Sequence, residues 1–140
     1  MTTLHATCIA IGGIGILLTG KSGSGKSDLA LRLIDRGAQL VSDDGTIVEA
    51  QNGTVYASAP ATIAGKIEVR GLGILKTPAV QQAPIALCIA LDAPVPRMPD
   101  EILPTRTIEG VALPLLALDP FEISAVVKVE KALLLYGSKP

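Results

Sequence analysis

Apolar positions along the chain fall into short runs separated by glycine, proline and acidic residues. Ala6–Ile11 and Ile14–Thr19 flank Gly12-Gly13, the pattern of two strands joined by a tight hairpin. From Lys26 to Arg36 the period changes: Leu29, Ala30, Leu33 and Ile34 share one helical face, Ser27-Asp28 gives an acidic first turn, and Gly37 stands at the stop position. Ala38–Ser42 is again strand-like and ends in Asp43-Asp44-Gly45. Thr46–Glu49 and Thr54–Ser58 surround Asn52-Gly53, a strong hairpin signal, and the stretch from Ala57 to Lys66 reads as a loop. In Ile67–Leu75, Ile67 and Val69 alternate with Glu68 and Arg70. This predicts one strand with a charged face, Gly71 and Gly73 marking a bulge or a close backbone approach. Ile85–Leu91 reads as a buried strand ending at Asp92. Pro94, Pro96, Pro99 and Pro104 then place Arg97 in a loop. Thr105–Glu109 and Val111–Leu118 form a strand pair around Gly110. Asp119-Pro120-Phe121-Glu122 predicts a helix start, with Asp as N-cap, Pro in the first position and Glu completing a capping box. That helix should run to about Tyr136, stop at Gly137, and carry Phe121, Val126, Val129 and Leu133 on one apolar face.

Elements of this kind in 140 residues predict one α/β domain over residues 1–140, able to bury about two-thirds of its unfolded surface. Hydrophobic residues make up 49% of the chain, but Tyr56, Phe121 and Tyr136 are the only aromatics, so the core must be aliphatic. A formal net charge of −1 supplies neither a basic field for nucleic acid nor a polybasic membrane anchor. Stacking platforms for single strands are also missing. Cys8 and Cys88 lie inside apolar runs and read as buried free thiols, and a single histidine leaves too few ligands for a zinc cluster. The apolar runs are too short to span a bilayer, and the first five residues lack a positive leader. The expectation is a cytoplasmic, membrane-free protein.

Chemistry enters at Gly20-Lys21-Ser22-Gly23-Ser24-Gly25-Lys26-Ser27, which fits the phosphate-cradling P-loop pattern. Glycines let the backbone turn successive N–H groups toward an anion, Lys26 supplies a point charge for the β/γ-phosphates, and the Ser27 hydroxyl suits Mg²⁺. A strand before the loop and a helix after it place phosphate at a helix N-terminus. Asp43-Asp44 reads in two ways. One is a polar Asp-Gly turn opening the next hairpin; the other is a carboxylate pair near Mg²⁺ and an acceptor hydroxyl. Side-chain alternation in a strand would turn only one of the two toward the phosphates. His5, alone before the first strand, reads on its own as solvated surface. Glu68 and Arg70 read equally as a solvated strand face.

Four features taken in order resemble the C-terminal catalytic domain of the HPr kinase/phosphorylase family. They are His5, fifteen residues before Gly20; the loop GKSGSGKSD; Asp43-Asp44; and Glu68-Val69-Arg70-Gly71-Leu72-Gly73-Ile74. The resemblance extends from Leu4 to about Gly137. It implies an αβ P-loop domain with a mixed sheet, similar to the phosphoenolpyruvate carboxykinase core. The activity it implies is ATP-dependent phosphorylation of a seryl side chain on an HPr-like phosphocarrier, reversed in many members by phosphorolysis.

Roles follow residue by residue from that resemblance. Lys26 and the Gly20–Ser27 backbone, including Lys21, Ser22, Gly23, Ser24 and Gly25, would hold the nucleotide phosphates. Ser27 and Glu68 would help hold Mg²⁺. Asp44, or else Asp43, would accept the seryl proton, His5 would orient the transferring phosphate and its carboxylate partners, and Arg70 would act as a charged clamp. The chain resembles the short members built from this domain alone. Where long members carry a segment like PVRPGRN, this chain has Leu115-Leu116-Ala117-Leu118-Asp119-Pro120, without arginine. That departure leaves phosphorolysis and homo-oligomer assembly open, and leaves Arg97 as the surviving basic candidate near the protein substrate. Rival readings are a small-molecule P-loop kinase, disfavoured because only Arg97 and Arg106 are available late in the chain as lid arginines, and a nucleotide-sensing module without turnover.

Overall fold

The computed structural model describes residues 1–138. A nine-stranded mixed sheet forms its frame, and one strand, β9 (Gln82–Ala90), links the parts of that sheet. The hairpin of β2 (Ala6–Ile11) and β3 (Ile14–Thr19) turns on Gly12-Gly13, whose positive φ angles of 57° and 83° suit a tight primed turn. The P-loop follows β3 directly and leads into α1 (Lys26–Asp35), which Gly37 terminates. β4 (Gln39–Ser42) returns to pair with β2. β5 (Thr46–Gln51) and β6 (Thr54–Ser58) form the Asn-Gly hairpin expected from the sequence. The short strand β1 (Thr2–Leu4), too brief to show a pattern in the sequence, joins the free edge of β5.

β9 is nine residues long and serves two neighbours along one edge. Its first residues pair antiparallel with β6, and Cys88–Ala90 pair in parallel with β11 (Val111–Ala117), which carries β10 (Thr105–Ile108). Its other edge pairs in parallel with β3. The sheet therefore curls, and its central strands are covered on both faces, so they appear in the sequence as continuous apolar runs rather than alternating ones. On one face Ile9, Ile16, Leu18, Leu87 and Ile89 pack against Leu29 and Leu33 of α1 and Val126 and Val129 of α2 (Ala125–Tyr136). On the other, Cys8, Leu17, Ile85 and Cys88 meet Val48 and Val55 from the curled part of the sheet.

Two predicted elements are corrected. Ile67–Leu75 is not one strand but a separate two-stranded sheet of β7 (Lys66–Val69) and β8 (Gly73–Lys76), closed by Leu72 N–H donating to Val69 C=O. Gly71 and Gly73, with φ of 87° and 109°, make the reversal rather than a bulge. The second helix begins at Ala125, not Asp119. Asp119 Oδ1 accepts the Phe121 N–H at 2.9 Å, a local turn that competes with helix, and Arg32 of α1 donates to Pro120 C=O. Phe121 is consequently 70% exposed rather than buried. No helix among the described residues is long and apolar enough to cross a membrane.

Cys8 and Cys88 are both free and buried, as their apolar surroundings suggest. Burial pushes the Cys88 thiol up to about 11, and burial together with the neighbouring Cys88 raises Cys8 further. The folded thiols stay protonated where the unfolded chain, near the ordinary thiol value of 9.0, ionises. Stability is then fully present below pH 9 and falls as pH rises toward 11, by up to about 1.4 kcal/mol per pH unit per thiol. Urea unfolding across this window should give a shallower slope for Cys88→Ala than for the wild type. An unchanged slope would remove Cys88 from the account.

Candidate active site

The P-loop connects the end of β3 to α1, and positive φ at Gly20, Gly23 and Gly25 shapes its reversal. Ser24 N–H donates to Lys21 C=O, and Gly25 takes φ of 95° before Gly25 C=O accepts the Leu29 N–H in the first helical turn. Lys26 is 5% exposed, and its Nζ donates to the loop carbonyls of Gly20 (2.6 Å) and Lys21 (3.1 Å). The ammonium is thus held at the loop mouth by the loop's own backbone. Beside it lies a cleft of about 730 Å³, within the range of small-ligand sites. Its lining includes Ser22, Gly23, Gly25, Lys26, Ser27, Asp43, Asp44, Glu68, Arg70 and Phe121. Gly20, Lys21 and Ser24, also candidates from the sequence, belong to the loop but do not line that cleft.

The two adjacent aspartates are sorted by their surroundings. Asp43 is buried (8% exposed) and accepts three hydrogen bonds: Ser27 Oγ at 2.6 Å and Thr7 Oγ1 at 3.2 Å on Oδ1, and the Glu68 backbone N–H at 3.0 Å on Oδ2. It therefore ties the P-loop helix, β2 and β7 to one carboxylate. Asp44 turns the other way. Its φ of 62° is left-handed, its side chain is 63% exposed, and Oδ1 lies 2.9 Å from His5 Nε2. The strand expectation that only one aspartate would face the cleft is corrected: β4 ends at Ser42, and the left-handed residue after Asp43 brings both carboxylates to the lining. His5, in the bend between β1 and β2, reaches the site through Asp44.

Glu68 and Arg70 stand on the β7–β8 hairpin wall. Both are exposed and line the cleft, and the Glu68 backbone N–H donates to Asp43. Arg97 is not brought to this site. It lines a separate apolar cleft of about 270 Å³ between the proline-rich stretch and α2.

Three residues of the site were not singled out from the sequence. Thr7, fully buried in β2, donates to Asp43 and accepts the Asp44 N–H at 3.0 Å, so one hydroxyl orients both aspartates. A lone threonine inside the apolar run Ala6–Ile11 was its only signal. Asp92 accepts the Lys21 N–H at 3.0 Å, bracing the loop from the end of β9. Its signal was an acid closing an apolar strand, without any indication that this strand lies beside β3. Phe121, expected on the apolar face of the last helix, rests against Gly25. Among the described residues, no three His, Cys, Asp or Glu side chains cluster as a metal site. The oxygen set present, one hydroxyl with one or two carboxylates, instead suits Mg²⁺ shared with phosphate oxygens.

A glycine-rich loop leading into a helix N-terminus, set on a mixed sheet and faced by an aspartate hydrogen-bonded to its serine, defines an α/β domain of the P-loop class. The family model of the HPr Serine kinase C-terminal domain matches residues 1–93. The HPr kinase/phosphorylase of Clostridium botulinum (strain Eklund 17B / Type B) is 47% identical over 74 residues, 53% of this chain and 24% of the relative. That of Clostridium tetani (strain Massachusetts / E88) is 47% identical over 79 residues, 56% of this chain and 26% of the relative. The chain thus spans about a quarter of the length of the curated relatives it matches. The solved structure of the Hpr(Ser) kinase/phosphatase from Coxiella burnetii matches with a TM-score of 0.78 at 30% identity, covering 96% of this chain and 93% of that one. The chain belongs to the HPr serine kinase C-terminal domain family.

Proposed function

We propose that residues 1–140 act as one catalytic domain that transfers the γ-phosphoryl group of ATP to a seryl side chain of an HPr-like phosphocarrier. The observation that carries this reading is the division of labour between Asp43 and Asp44 beside the P-loop. Asp43, hydrogen-bonded to Ser27, is committed to the phosphate and metal side. Asp44, exposed and hydrogen-bonded to His5, is free to meet an incoming hydroxyl. In the step itself the seryl Oγ bonds to the γ-phosphorus, the bridging β–γ bond breaks, ADP leaves, and the seryl proton passes to the Asp44 carboxylate. Backbone N–H groups of residues 22–27, Lys26 and Arg70 meet the phosphate charge, and His5 fixes the Asp44 carboxylate. Ser27, Asp43 and Glu68 would hold Mg²⁺, which when bound neutralises the β- and γ-oxygens. Most of the catalysis is then positioning and charge stabilisation.

The reading is tested by incubating the chain with MgATP and an HPr homologue and seeking acid-stable phosphoserine by mass spectrometry. Stoichiometric seryl phosphorylation is the expected outcome, and its absence at saturating MgATP sinks the proposal. Supplying phosphoserine-HPr with inorganic phosphate in the same assay measures the reverse reaction.

A further inference from the structure

Phe121 is an exposed aromatic ring pressed against the phosphate loop. The side chain is 70% exposed, yet a Cβ at position 25 would sit 3.3 Å from Phe121 Cε1 and 3.1 Å from Pro120 Cγ. A side chain at position 25 would push the ring and Pro120 back by a few tenths of an ångström, and the φ of 95° there favours glycine as well. The other two aromatics, Tyr56 and Tyr136, do not line the P-loop cleft, whereas Phe121 does.

The ring is also held in place. Asp119 Oδ1 accepts the Phe121 N–H, Pro120 is buried, and Arg32 donates to Pro120 C=O while pairing with Asp28 at 3.0 Å in the first turn of α1. The helix start expected at Asp119 is thus given up for a turn anchored to the P-loop helix. This costs a helical turn and leaves a phenylalanine largely in water. A planar ligand covering the ring would recover that apolar surface.

We propose that Phe121 is the stacking platform for the nucleobase of the bound nucleoside triphosphate, an assignment that rests on the nucleotide-phosphate reading of the site. Phosphates seated on residues 22–27 place the nucleoside at the rim of the cradle, and the Phe121 ring adjoins that rim at Gly25. Stacking grips a base by its face and so is tolerant of base identity, with purines offering the larger overlap.

The test compares two ligands by calorimetry, MgATP and inorganic tripolyphosphate with Mg²⁺, which carries the same phosphates and no base. Phe121→Ala should weaken ATP binding about 5- to 150-fold and leave tripolyphosphate binding unchanged, while Phe121→Trp restores ATP affinity. The ring's exposure means that the alanine variant should fold. Equal weakening of both ligands would make Phe121 a support for the loop and overturn the proposal. Unchanged affinity for both would overturn it too, including the case where the variant raises only the KM for the phosphocarrier. If the wild-type chain binds neither ligand, the nucleotide reading itself fails and this assignment with it. Binding of both ligands by the wild type keeps the two failures distinguishable.

Discussion

Asp44→Asn is expected to lower seryl phosphotransfer by about 10²–10⁴-fold, the range for removing a positioned general base, with ATP affinity nearly unchanged. The substitution is a clean chemical probe because of the backbone it occupies. Asp44 sits at φ of 62°, a left-handed conformation that asparagine adopts readily, so the variant keeps the local geometry. An asparagine can still meet His5 and keep its backbone N–H on Thr7; what it loses is the capacity to take a proton. Initial transfer rates with MgATP and the phosphocarrier, beside nucleotide affinity by calorimetry, provide the measurement. Transfer near the wild-type rate would move the base role away from Asp44.

The neighbouring position should behave oppositely. Asp43→Ala strands three donors, of which the Thr7 hydroxyl is fully buried, and each stranded buried donor costs about 1–3 kcal/mol. Water can reach part of the site through the cleft, so a loss of about 2–4 kcal/mol in unfolding free energy is expected, with transfer abolished as well. Urea unfolding reads the first effect and the phosphotransfer assay the second. A fully stable Asp43→Ala variant would show that the three-element junction is held by other contacts. One dipeptide thus separates chemistry from architecture, since the Asp44→Asn variant should unfold like the wild type.

Much of this was legible in the sequence because the signals were local. The P-loop spacing, the Gly-Gly and Asn-Gly turns, the period of Leu29 and Leu33, and the apolar runs around the thiols each specify their own stretch of chain. The candidate site residues that line the cleft were legible as types, and the family resemblance supplied the set. What stayed hidden depended on contacts between distant segments. Thr7 gains its meaning only when β4 lies beside β2 and delivers the two aspartates to its hydroxyl. Asp92 gains its meaning only from the parallel pairing of β9 with β3. The 119–124 stretch carries good helix-start chemistry that Arg32, eighty-eight positions away from Pro120, overrides by holding its carbonyl. Glu68–Ile74 shows a strand-like alternation, but two glycines with positive φ fold it back on itself.

The parallel strands β3, β9 and β11 end level with one another, Thr19 and Ala117 each standing opposite Ala90. Phosphate loop, bracing acid and aromatic platform therefore leave the sheet from one common rim, where ligands of such sheets gather. Connection length and rim position are separate variables in this arrangement. The proline-rich excursion between β9 and β10 can lengthen at an entropic cost of only about 0.6 kcal/mol per doubling, because it does not set the level of the rim. A slip of one residue within β9 would instead reverse the side-chain faces of that strand and move Asp92 out of line with the loop it braces. Variation in this chain has room in its connections and almost none in the strands whose ends carry the site.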